Sequence, residues 1–117
     1  MRTTLSIAAG VVCLLLSACS SEPPSSAELC PSPTDATSIE LGDFFYGPEC
    51  AGLAADSSVE LRNTGEAPHT FTVNDTEIDV NVDAGGTDTV DLAGIAPGTY
   101  EVVCTLHPQM EGALQIT

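Results

Sequence analysis

Four side chains that can hold a soft or borderline metal ion set the chemistry of this sequence. Cys104, His107 and Met110 share one run, Cys104-Thr105-Leu106-His107-Pro108-Gln109-Met110, and His69 opens an apolar stretch well upstream. His69 and His107 are the chain's 2 histidines, and Met110 is its one methionine besides the initiator. Two imidazoles, a thiolate and a thioether form the donor set of a mononuclear copper site, with the thioether as a weak, long axial ligand. Zinc shares the Cys-x-x-His spacing but has little use for a thioether. A Cys–His nucleophile pair needs a third group to orient the base and an oxyanion hole, and this run offers neither. The expected chemistry is one-electron transfer at one copper ion, and no enzyme is expected.

Distant donors meet only if regular elements carry them to one place. Short runs alternate apolar residues with acids, amides or threonines: Ile39 and Leu41 around Glu40, Val59 and Leu61 around Glu60, Phe71 and Val73 among Thr70 and Thr72. The same holds for Ile78, Val80 and Val82, for Val90 and Leu92, and for Leu114 and Ile116. A period of two describes sheets with one buried and one wet face. Asn63-Thr64-Gly65, Asn74-Asp75, Ala84-Gly85-Gly86 and Pro97-Gly98 mark turns between them. With no convincing amphipathic helix, the fold class is all-β, a β-sandwich. Parity puts His69 on the face of Phe71 and Val73, and Cys104 on the face of Tyr100 and Val102, so both donors project inward at strand ends. His107 and Met110 then lie in the turn back to Leu114. Pro108 and Pro68 stiffen the two ligand loops, and the Thr70 N–H is the candidate donor to the Cys104 sulfur. Phe44, Phe45 and Tyr46 are expected to extend the first strand, and Gly47–Asp56 to be loop.

The basic start Met1-Arg2 and the apolar stretch Thr3–Leu16 read as a secretory signal over 1–18, too short for the roughly 20 residues of a membrane span. Leu16-Ser17-Ala18-Cys19 resembles the lipobox of bacterial lipoproteins, which implies lipid on Cys19; the alternative is ordinary cleavage with Cys19 incidental. Residues 19–38, rich in Ser, Pro, Glu and Ala, read as a flexible spacer, and 39–117 as the domain. The localisation expected is the extracytoplasmic face of a bacterial membrane, held by the anchor alone. Cys30 and Cys50 are expected to pair as a disulfide, since export permits oxidation and no histidine stands near to make a second metal site. All 17 acidic residues follow the signal, against Arg62 as the one base there and no lysine. That excludes nucleic acid as a partner, because nothing neutralises phosphates. The acidic surface serves either solubility in a saline setting or steering toward a basic redox protein. A monomer is expected.

Asn63-Thr64-Gly65, His69-Thr70-Phe71-Thr72-Val73, and Pro97-Gly98-Thr99-Tyr100 running on to Cys104, with His107, Met110 and Gly112, resemble the cupredoxin (blue copper protein) family, in its plastocyanin- and amicyanin-like branch. The resemblance covers Ser57–Thr117 well and Ile39–Tyr46 loosely. It implies a Greek-key sandwich with one copper ion at one pole, held at the positions of His69, Cys104, His107 and Met110. It implies a tyrosine corner at Tyr100, and electron passage through the exposed edge of His107 with Leu106, Pro108, Ala67 and Pro68 as rim. Position 70 carries threonine where many relatives have asparagine, which bears on the side-chain link between the ligand loops. Two functions fit such a site: a one-electron carrier between redox proteins, or a lipoprotein that stores or delivers copper. The absence of spare methionines and histidines after the signal favours the carrier.

Overall fold

Alternation becomes strands, and the strands close into two packed sheets. The structure, a computed structural model, describes residues 26–117, so the signal (1–18) and Cys19 lie outside the described residues. A single-turn helix, α1 (Ser26–Leu29), leads into β1 (Thr34–Asp35), β2 (Ser38–Gly42), β3 (Phe45–Gly47), β4 (Cys50–Leu53) and β5 (Ser58–Asn63). There follow β6 (His69–Val73), β7 (Asp79–Val82), β8 (Thr87–Asp91), β9 (Gly98–Val103) and β10 (Glu111–Ile116). One sheet has the order β1-β4-β10-β9-β6-β7, and the other β3-β2-β5-β8. Ile39, Leu41, Val59 and Leu61 from the smaller sheet face Phe71, Val73, Val102 and Leu114 from the larger, all buried in one cluster. Each such side chain contributes roughly 1.5–3 kcal/mol when fully buried. The wet face offers far less: Arg62 and Glu60 form an exposed ion pair, of a kind worth about 0–1 kcal/mol. The hydrophobic alternation therefore decides the fold.

Register then decides where the donors land. β6 and β9 are antiparallel neighbours, with Thr72 opposite Val103 and Val73 opposite Val102. The start of β6, His69, thus lies at the same end of the sheet as the end of β9, beyond which comes Cys104. β10 begins at Glu111, opposite Val103, so Met110 stands at this end too. Gly94–Pro97 feeds the opposite end of β9, about 20 Å away at the usual rise per strand residue. There the Tyr100 hydroxyl donates to the Ala96 carbonyl at 2.6 Å, which is the expected corner.

Three expectations need correction. Phe44–Tyr46 does not extend the first strand: the chain reverses at Asp43-Phe44, and β3 pairs back on β2, with Leu41 opposite Tyr46. Phe44 adopts φ 72° at this reversal. The Gly47–Asp56 stretch is not all loop, because β4 lies between β1 and β10, parallel to both. The sheet also takes in Thr34–Asp35 from the region expected to be spacer. Cys30 is buried and joined by a disulfide to Cys50, with the Cα atoms 5.4 Å apart. The packed domain therefore begins before residue 39.

Candidate metal centre

His69 is the first residue of β6 and is fully buried, at 0% exposure. Cys104 is buried just past β9, and His107 is half-buried in the loop that follows. That loop is closed by its own backbone: Cys104 N–H donates to the Met110 carbonyl (3.1 Å), His107 N–H to the Cys104 carbonyl (3.3 Å) and Met110 N–H to the His107 carbonyl (2.9 Å). The His69 and His107 Nδ1 atoms stand 3.2 Å apart. The Cys104 sulfur is 4.0 Å from the first and 3.7 Å from the second. Among the described residues these three form a cluster of metal-ligating type. Met110 is fully buried at the same end of the sandwich.

The spacing tests whether an ion fits. With bonds of ~2.0 Å to nitrogen and ~2.3 Å to sulfur, the three separations subtend ~106°, ~119° and ~137° at one point. One ion could therefore be reached by all three donors at once. The donor set and its spacing both fit copper.

Local electrostatics prepare the sulfur. The Thr70 N–H donates to Cys104 Sγ at 3.3 Å, as expected from the sequence. Burial pushes the Cys104 thiol up, but the N–H groups of Thr70 and Leu106 and the two imidazoles outweigh it and bring the pKa down to about 6. The thiolate, the form that binds metal, is therefore the resting form at neutral pH. Burial, and secondarily the charge on Cys104, push the Tyr46 phenol up, so Tyr46 stays a neutral donor. The link between ligand loops is made by threonine: Thr105 N–H donates to Thr70 Oγ1 at 2.8 Å.

Sequence reasoning missed four residues around the site. Asp43 reaches His69, and its Oδ1 lies 3.0 Å from His69 Nε2. Phe44 stands edge-on to His107 with ring centroids 5.2 Å apart. The Tyr46 hydroxyl donates to the Thr70 carbonyl at 2.7 Å. Asn63 is buried and donates its amide to the carbonyls of Ala67 and Val82, both at 2.9 Å, so it ties down the loop before His69. In the sequence Asn63 was visible as part of a turn signal, Phe44 and Tyr46 only as an expected strand extension, and Asp43 not at all. Of the expected rim, Leu106, Pro108 and Pro68 are exposed and Ala67 is half-buried.

A family model described as a cupredoxin-like domain matches residues 6–116. Among solved structures, a copper-containing nitrite reductase from Thermus scotoductus is similar at TM-score 0.60 and 17% identity, over 70% of this chain and 22% of that one. This chain thus spans about a fifth of the reductase's length. A reduced amicyanin variant is similar at TM-score 0.58 and 20% identity, over 84% of this chain and 94% of that one. A variant plastocyanin of fern matches at TM-score 0.58 and 20% identity, over 68% of this chain and 99% of that one. No curated protein sequence matches significantly. At such identities the structural likeness speaks for the fold. The family match runs through nearly the whole domain, and with it the chain belongs to the cupredoxin-like domain family.

Proposed function

We propose that this chain is a one-electron carrier in which His69, Cys104 and His107 would hold one copper ion, with the Met110 sulfur as a further donor. It works tethered through Cys19 at the outer face of a bacterial membrane. The observation that carries the reading is the set of three separations, 3.2, 3.7 and 4.0 Å, among two imidazole nitrogens and a thiolate sulfur. When bound, the copper supplies one reversible electron through its Cu(I) and Cu(II) states.

The remaining work belongs to the side chains. Cys104, already a thiolate at neutral pH, gives the ion its covalent link to the protein. The Thr70 N–H draws charge from the sulfur and holds it in place, which tunes the potential. The backbone-closed loop holds His107 and Met110 in place. His107 is the half-exposed member of the trio, flanked by Leu106 at 49% and Phe44 at 54% exposure. An apolar surface around a ligand edge suits brief docking of a redox partner. The test compares electron self-exchange of the copper-loaded chain with copper transfer to a chelator. The carrier reading expects fast exchange and slow metal loss; rapid metal loss with slow exchange would instead support copper storage or delivery.

A further inference from the structure

The reversal between β2 and β3 reaches each of the three ligating residues. Phe44 braces the His107 ring. Tyr46 holds the carbonyl of Thr70, whose N–H is bound to the Cys104 sulfur. Asp43 does the most. Its two oxygens each accept from Glu66 N–H at 3.1 Å, and Oδ1 also accepts from Ala67 N–H at 3.4 Å and lies 3.0 Å from His69 Nε2. A Cβ on Gly65 would run into this carboxylate, so the glycine is what lets it approach.

An ionised carboxylate only accepts hydrogen bonds, so its partner His69 Nε2 is the donor, and in the neutral ring this leaves Nδ1 as the nitrogen with a free lone pair. Nδ1 is the atom that faces Cys104 and His107. His69 has no exposure to solvent, so with Asp43 in place the carboxylate and not water is the acceptor for Nε2. The same oxygens grip the loop just before His69, and thus fix both the ring and the backbone that carries it.

We propose that Asp43 is a positioning residue of the metal centre: it locks His69 in the tautomer that ligates, and its negative charge favours the oxidised ion. The tautomer half stands on the geometry alone; the charge half rests on the copper reading above. Asp43 is partly solvated, with its side chain 38% exposed, so its field on the ion is moderate.

The test uses the full chain and two variants. Asp43→Asn keeps an acceptor and loses the charge, whereas Asp43→Leu loses both. In the metal-free chain, 15N NMR of His69 should show the Nε2–H form in wild type and Asp43→Asn, and a tautomer mixture in Asp43→Leu. In the copper-loaded chain, Asp43→Asn should keep its visible band while Cu(II) affinity falls about tenfold relative to Cu(I). That corresponds to a rise in potential of ~59 mV for one electron. An unchanged tautomer in Asp43→Leu, or an unchanged potential in Asp43→Asn, overturns the proposal. Should wild type bind no copper, the copper reading fails, and the metal-free NMR still decides whether Asp43 sets the ring.

Discussion

At Cys104 the surrounding N–H groups and imidazoles act strongly on the thiol. Its pKa, lowered to about 6 in the fold from an ordinary 9.0, ties stability to pH. Between those values the unfolded chain binds a proton that the folded chain does not, so stability rises with pH across that window. The contribution is complete above the unfolded pKa and is lost as pH falls through about 6. Urea unfolding of the metal-free chain, with Cys104→Ser as reference, should show wild type gaining on the variant from pH 6 to 9. Parallel curves would contradict it. Met110→Leu should retain the visible band and shift the potential, whereas Cys104→Ser should abolish the band. The cluster of His69, Cys104 and His107 was legible because its residue types are scarce and parity turns His69 and Cys104 inward. Asp43 was not, being one carboxylate among 17 and separated by 26 positions from the imidazole it meets.

At the scale of elements, strands with one wet face announced themselves by polar residues on the off-beat. β4 did not. Its run Cys50-Ala51-Gly52-Leu53 has no polar residue, because the N-terminal segment covers it: Pro33 and Asp35 stand against Gly52. A small, covered strand without alternation reads as loop. β3 was misread for another reason: the reversal at Asp43-Phe44 puts a non-glycine residue in the left-handed region, and only the brief Gly42-Asp43 pair precedes it. The disulfide that clamps this covered edge closes a sequence separation of 20, for which chain entropy gives about 3 kcal/mol. Cys30→Ala with Cys50→Ala should lower unfolding free energy by about that much in denaturant titrations, and the copper band should be unaltered. Asn63→Ala should cost about 2–3 kcal/mol, because it leaves the Ala67 and Val82 carbonyls without their buried donor. It should also loosen the loop that delivers His69.

For the molecule as a whole, charge and attachment govern encounters. A formal net charge of −15 surrounds an apolar rim at the metal end. On the steering reading, the rate of electron transfer to a basic protein falls as salt rises, since screening becomes strong beyond a Debye length of about 10 Å at 0.1 M. A flat salt dependence would leave solubility as the use of the charge. On the tether reading, Cys19→Ala moves the chain from the membrane to the soluble fraction, and a variant still bound to membranes would rule that reading out. Neither trait is written in the fold: acids on the wet off-beat serve solubility and steering alike, and Cys19 lies outside the described residues. The proposed carrier depends on a copper ion at that pole. Cu(II) added to the metal-free chain should produce one intense visible thiolate-to-copper band that saturates at one ion per chain. A colourless product that prefers zinc would contradict it.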